Sequence, residues 1–220
     1  MSEKTISSAM EDYLKAIFEL GEKDIATQDL ARHLSVSAAS VTGMIKKLSD
    51  LKLIDYKPYY GVNLTKSGRL IALETIRHHR LIETYLTQAL GYKWHEVHDE
   101  AEKLEHHISE DFEDRIAEML GHPTHDPHGD PIPQRDGSIP EVLGNPLGDF
   151  EVGQVIKITR IANQQPDVLQ YLADNQLMPG ATVQLVAKAP FDGPVTLKGK
   201  AGDLAIALEL AHNIYGTKSK

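Results

Sequence analysis

Apolar side chains recur at helical spacing over the N-terminal third of the chain, give way to alternation, and then return to helical spacing. Ser8-Ala9-Met10-Glu11 has the form of a capping box, and Asp12 falls in what should be the first turn of the helix it opens. Tyr13, Leu14, Ile17, Phe18 and Leu20 supply that helix with a buried face, and Gly21 ends it. Thr27 is expected to cap a second helix, Gln28 to Leu34, with Leu30, Ala31 and Leu34 inward. After Ser35-Val36-Ser37 comes a third, with Val41, Ile45 and Leu48 as its core stripe. Its other face carries Ser37, Ala38, Ala39, Ser40, Thr42, Gly43, Lys46 and Lys47. Short helices joined by a tight turn, the later one with small hydroxyl residues and then lysines, suit a helix-turn-helix. Small residues admit the helix to a major groove, while hydroxyls and ammonium groups reach phosphates and base edges. Leu53 to Thr65 alternates around a turn and reads as a two-stranded wing, presenting Lys57, Tyr59 and Tyr60 to the same partner.

Thr65-Lys66-Ser67-Gly68 starts a long helix carrying Leu70, Leu73, Ile76, Leu81, Ile82, Tyr85, Leu86 and Leu90, and Gly91 breaks it. Phe112 to Leu120 is amphipathic. These apolar surfaces exceed what one small winged domain can cover, and a symmetric homodimer is the simplest way to bury them. Gly121 to Gly148 holds six of the eleven prolines and reads as a linker. Phe150 to Ile161 and Thr182 to Lys188 alternate as strands, Asp167 to Asn175 is expected to be a short helix, and "FDGPVTLKG" a hairpin. The expected fold is mainly α with β: a winged helix-turn-helix over 1–72, a helical domain over 73–122, a linker over 123–149, and a small β-barrel over 150–217.

Composition adds exclusions. With no cysteine, the chain has no disulfide, no thiolate metal site and no cysteine nucleophile. No leader or membrane-length apolar run is evident, so a cytoplasmic location with no membrane partner is expected. A net charge of -9 argues against nucleic acid, but the placement of the charges along the chain argues for it. Ala26 to Leu70 has seven Lys/Arg against three acids, while His95 to Leu120 has ten acids against Lys103 and Arg115. One segment suits an anion and the next suits a cation.

The acidic segment, read as a helix from His95 to Ile108, puts Val97, Ala101, Leu104 and Ile108 on one stripe. His98, Glu102, Glu105 and His106 lie beside it. Carboxylates and imidazoles at the edge of an apolar surface suit a divalent cation. The same composition also suits a merely solvated face, and spacing alone leaves both readings open.

The motifs "MEDYLKAIFEL", "LSVSAASVTGMIKKL", "HHRLIETYL", "VHDEAEKLEHHIS" and "DPHGDPIP" decide between them. Together they resemble the diphtheria toxin repressor and manganese transport regulator family of metal-dependent transcriptional repressors, over nearly the whole chain. The resemblance implies that 73–122 is a helical metal-binding and dimerisation domain and that the C-terminal barrel is SH3-like. It also implies a primary metal site of Asp12, Glu102, Glu105 and His106, including the Glu102 carbonyl. It implies an ancillary site of His79, Glu83 and His98. Some relatives add ligands from the linker and the C-terminal domain, which implicates Asp126 and His128, and Gln165 or Asp167. The implied function is metal-dependent binding of a homodimer to a palindromic double-stranded operator, repressing metal-uptake genes without enzymatic activity.

Two departures from the family bear on the metal. Lys15 stands where manganese members often carry a glutamate, and Glu102 and Asp12 replace the Cys and Met ligands of the iron branch. An oxygen-rich site without sulfur favours Mn²⁺, with Fe²⁺ the alternative. The rival functions are an iron-responsive repressor of the same family, a winged-helix regulator that senses no metal, and a metal hydrolase or ferroxidase. The last needs a suitably spaced spare acid as base, and none is evident.

Overall fold

The computed structural model describes residues 6–219, which divide into two compact units. The first unit contains residues up to His79 together with 103–109 and 133–138. The second contains 80–102, 110–132 and 139–220.

In the first unit, α1 (Ser8–Glu19), α2 (Thr27–His33) and α3 (Ala38–Asp50) pack with the hairpin β1 (Ile54–Lys57) and β2 (Gly61–Leu64). Val41, Ile45 and Leu48 are buried on α3, meeting Leu14, Ile17, Leu30, Ile54 and Val62 in one core. Truncating a fully buried leucine such as Leu48 to alanine would cost about 2–5 kcal/mol. The hairpin pairs Ile54 with Leu64 and Lys57 with Gly61, which leaves Tyr59 and Tyr60 exposed at its tip. Helix α4 (Lys66–Leu90) begins where the Thr65 hydroxyl accepts from the Gly68 N–H at 3.2 Å and donates to the Leu53 carbonyl at 3.0 Å. A Cβ on Gly68 would lie 2.0 Å from that carbonyl oxygen, so only glycine fits there.

Three local expectations are corrected. Helix α1 is capped by Ser7, not Ser8, and no side chain bonds the cap. The capping box does not form, because the Glu11 carboxylate turns away from the helix end, and Asp12 lies beyond the first turn. Helix α2 is capped by Ala26, with Thr27 as its first helical residue. The acidic helix is shorter than its apolar spacing predicts: α5 covers only His98–Leu104. Val97 and Ala101 are buried as expected, but Leu104 is exposed and Glu105 is 1% exposed. The helix ends there, and a turn carries Glu105 inward where the stripe would have carried Leu104.

In the second unit, α6 (Glu110–Met119) buries Ile116 and Ala117 against Leu81 and Ile132, and exposes Phe112 and Met119. The C-terminal part is an antiparallel sheet ordered β3-β8-β4-β5-β6-β7. Its strands are β3 (Asn145–Pro146), β4 (Val155–Ile161), β5 (Thr182–Lys188), β6 (Val195–Gly199), β7 (Gly202–Ile206) and β8 (Ile214–Lys218). Helices α7 (Pro166–Asp174) and α8 (Leu208–His212) complete it, the latter not expected from the sequence. Ile156, Ile158, Val183, Leu185, Val195 and Leu197 alternate inward and meet Leu169 and Leu172 of α7. The "FDGPVTLKG" stretch supplies only the turn and β6 of a hairpin, whose first strand is β5 before it. Among the described residues no helix is long and apolar enough to cross a membrane.

Candidate metal centre

Two clusters of ligand-type side chains stand out, one within each unit. In the first unit, Asp12, Glu105 and His106 can each offer a ligand atom within 4.8 Å of the others. His106 Nε2 lies 2.7 Å from Asp12 Oδ1 and 3.5 Å from Glu105 Oε1. The other ring nitrogen, Nδ1, lies 2.5 Å from Glu11 Oε2. A carboxylate on one nitrogen fixes the ring and turns the other toward the shared space, as metal-binding imidazoles require. Asp12 and Glu11 come from α1, and Glu105 and His106 from the turn after α5.

Glu105 is the most enclosed member, its side chain 0% exposed. Lys15 Nζ donates to both of its oxygens, at 3.0 and 2.9 Å, and His79 Nδ1 lies 2.5 Å from Oε2. His78 Nδ1 lies 3.1 Å from the Glu105 backbone carbonyl, so α4 grips this residue at side chain and main chain alike.

In the second unit, Glu83, Asp126 and His128 form a fully buried group, again with ligand atoms within 4.8 Å of one another. Asp126 Oδ1 accepts from the backbone N–H groups of His128 and Asp130, at 2.8 and 2.9 Å, which folds the loop into a tight turn. Gly129 completes that turn at φ 89°, and a Cβ there would lie 2.0 Å from the Thr159 carbonyl oxygen of β4. His128 Nε2 meets the Trp94 carbonyl at 2.8 Å, and the indole stacks on the imidazole at 5.5 Å. Its Nδ1 is buried without a hydrogen-bond partner and lies 3.5 Å from Glu83 Oε2. An orphaned imidazole nitrogen beside two buried carboxylates fits a divalent cation.

Burial, helped by the charges of Glu83 and Asp130, pushes Asp126 up to about 7. Burial opposes charge on His128, but the adjacent Glu83 carboxylate outweighs it, with Asp126 and the Trp94 carbonyl assisting, and raises it to about 9. Arg80 flanks the group, 3.7 Å from Asp126 Oδ2, and donates to the Pro131 carbonyl at 2.5 Å. Asp130 beside it receives Arg160 Nε at 2.5 Å and the amide of Gln164, so residues of β4 and the loop after it reach this turn.

Of the other expected ligands, His98 Nδ1 lies 3.6 Å from Glu83 Oε1, and His98 Nε2 lies 3.8 Å from Glu102 Oε1. His79 sits one turn before Glu83 on α4 and pairs with Glu105 as described. Gln165 caps α7 and Asp167 lies in its first turn. Sequence reasoning missed Glu11, whose signal was assigned to a helix cap, and the contacts of Lys15, which was noted only as a departure. It also missed Arg80, Trp94, Asp130, Arg160 and Gln164, for which no local spacing gives a signal.

The residues expected to meet nucleic acid lie on the surface. Ser37, Ala38, Ala39, Ser40, Thr42, Gly43, Lys46 and Lys47 are all exposed on or before α3, as are Lys57, Tyr59 and Tyr60 on the hairpin. Ser37 caps α3, its oxygen accepting from the Ser40 N–H at 3.2 Å, and Thr42 donates to the Ala38 carbonyl at 2.9 Å.

Three family descriptions match successive parts of the chain. They are "Iron dependent repressor, N-terminal DNA binding domain" over 5–62, "Iron dependent repressor, metal binding and dimerisation domain" over 65–134, and "FeoA domain" over 145–218. The diphtheria toxin repressor of Corynebacterium diphtheriae is 28% identical over 223 residues, covering 96% of this chain and 97% of that one. A solved structure described as a manganese-dependent transcriptional repressor in complex with manganese is 36% identical, with a TM-score of 0.87, covering 96% of this chain and 100% of that one. The regulator ScaR with bound Zn²⁺ is 33% identical, with a TM-score of 0.80, covering 96% of this chain and 99% of that one. An N-terminal DNA-binding domain, a helical dimerisation domain and a C-terminal SH3-like β-sheet domain are thus the three parts of the molecule. The chain belongs to the diphtheria toxin repressor and manganese transport regulator family, and is a metal-dependent transcriptional repressor, not an enzyme.

Proposed function

We propose that this chain is a manganese-responsive repressor of metal-uptake genes, working in the cytoplasm as a homodimer on a palindromic operator. The observation that carries the proposal is the joining of α1, in the DNA-reading domain, to the turn after α5 through Asp12, Glu105 and His106, donors without sulfur. Asp12, Glu102, Glu105 and His106 form its primary set, and Glu83, Asp126 and His128, with His98 and His79, its ancillary donors. A bound divalent cation supplies the charge neutralisation that such gathered carboxylates need. The protein's own part is to hold α1 in one place. Glu11 orients the His106 ring, and Glu105 is fixed from α4 by His78 and His79. With α1 fixed, its packing against α2, α3 and β2 sets the aim of Lys46, Lys47 and the wing. The division into 1–72, 73–122, 123–149 and 150–217 is the domain reading that goes with this function.

The metal is tested by operator affinity against free Mn²⁺, Fe²⁺ and Zn²⁺, measured anaerobically by fluorescence anisotropy alongside cellular metal levels. Activation by Mn²⁺ at its cellular concentration is expected. Activation by Fe²⁺ at its own, with none by Mn²⁺, would overturn the manganese assignment in favour of iron. Equal affinity with and without chelator would remove metal sensing altogether. For the DNA face, Lys46→Ala and Lys47→Ala should each weaken binding to all duplexes and lower the salt slope by roughly one unit. An unchanged slope in both would move the DNA surface elsewhere.

A further inference from the structure

Lys15 is 8% exposed, a degree of burial that lysine accepts only when its charge is met. It lies one turn after Asp12 on α1, so both side chains leave the helix on neighbouring faces. Its ammonium chelates both Glu105 oxygens, at 2.9 and 3.0 Å, and stands 3.4 Å from His79 Nδ1. One buried carboxylate therefore faces two groups of partners. Through Oε1 it approaches His106 Nε2, which itself meets Asp12. Through both oxygens it holds the Lys15 ammonium, with the His79 imidazole alongside. A carboxylate and an imidazole nitrogen are donors that a divalent cation would otherwise take.

A buried ion pair is a poor device for stability alone, since apolar residues of similar volume serve as well or better. Its use here is electrostatic. We infer that the Lys15 ammonium occupies a cation position between Glu105 and His79, so that this cluster carries a tethered charge where its donors would otherwise take a second metal ion. The inference rests on the metal-site reading proposed above and goes beyond it. It sets the cluster at one exchangeable ion instead of a pair. It also weakens that ion's binding, because a fixed positive charge sits on the far side of the shared carboxylate. The protein thus responds at a higher free metal concentration than the same ligands would give without the lysine.

The test is Mn²⁺ binding to the full chain by calorimetry and electron paramagnetic resonance, in wild type and in Lys15→Arg, Lys15→Met, Lys15→Glu and His106→Ala. Ions bound at the Glu83–Asp126–His128 group are common to all of these and cancel in the differences. Lys15→Arg, which keeps the charge, should match the wild-type stoichiometry. Lys15→Met, which removes it without adding a ligand, should tighten Mn²⁺ binding by about tenfold or more. Lys15→Glu should take up one further equivalent relative to wild type and show the broadened spectrum of a spin-coupled pair. A coupled pair already present in the wild type would overturn the inference. So would Lys15→Met and Lys15→Glu variants with unchanged affinity and stoichiometry. A His106→Ala chain that keeps every ion the wild type binds would overturn the metal-site reading, and the inference with it. That failure is recognised by arising with Lys15 intact.

Discussion

The cluster on α1 and the cluster under the 124–132 loop gather the same residue types and balance them differently. At the first, buried Glu105 is met by an ammonium delivered from α1. At the second, Arg80 supplies a flanking positive charge, and Glu83 and Asp126 hold a proton on His128 up to a pH of about 9. A proton can leave when a metal arrives, whereas a side chain stays in the chain. The lesson is that similar ligand inventories need not respond alike. One cluster carries a tethered ammonium and is partly open, with the Asp12 side chain 39% exposed, and the other is closed and holds its positive charge on an imidazole.

The comparison breaks most directly at the histidines. His106→Ala should abolish metal-dependent operator binding, a loss of at least about a hundredfold in the metal response, while leaving a folded dimer. His128→Ala should keep the response and raise the metal concentration it needs by roughly tenfold or less, since its cluster ties a loop and not α1. Both follow from anisotropy titrations with sedimentation as the check on assembly. Equal losses would show that the two clusters act as one.

Glu11→Gln sharpens the contrast by one step. It keeps a hydrogen-bond acceptor near His106 Nδ1 and removes the charge, so Mn²⁺ affinity at the first cluster should fall about tenfold. Calorimetry should find the second cluster's binding unchanged. An affinity equal to the wild type would reduce Glu11 to a helix-surface residue.

The smallest effect concerns pH. His128 is raised from 6.5 to about 9, so its contribution to stability is complete below about pH 6.5 and is lost as the pH rises through 9. Asp126, raised from 3.8 to about 7, adds a loss of the same sign at lower pH. In chelator, the chain should lose on the order of 1–3 kcal/mol between pH 6.5 and 9 by denaturant unfolding. His128→Gln should flatten that window, and a wild type equally flat there would refute the assignment.

The sequence made the winged domain legible because its signals are local. Val41, Ile45 and Leu48 repeat at the spacing that buries them, and the Leu53 to Thr65 alternation is the hairpin itself. The acidic segment was legible in composition and misleading in detail. Periodicity carried the helix through Ile108, but the run stops at Leu104, because Glu105 is drawn inward by Lys15 and His79. Glu11 failed for the same reason: a capping box is a local pattern, and its carboxylate is claimed by a residue 95 positions away. The closeness of Asp126 and His128 to Glu83 came from family resemblance alone. No spacing rule links α4 to a proline-rich loop, and the Gly129 contact with β4 that helps set the loop is a backbone fit invisible to side-chain patterns.

Glu11 and Asp12 are neighbours in the chain, yet each takes a different nitrogen of one imidazole. Consecutive residues on a helix point about 100° apart, so the ring is clasped only at one rotational setting of α1. The helix behaves there as a key with a single angle of entry. Substitutions on its outer side leave that angle alone, but inserting one residue between Asp12 and Leu14, whose burial anchors the helix, turns both carboxylates off the ring together.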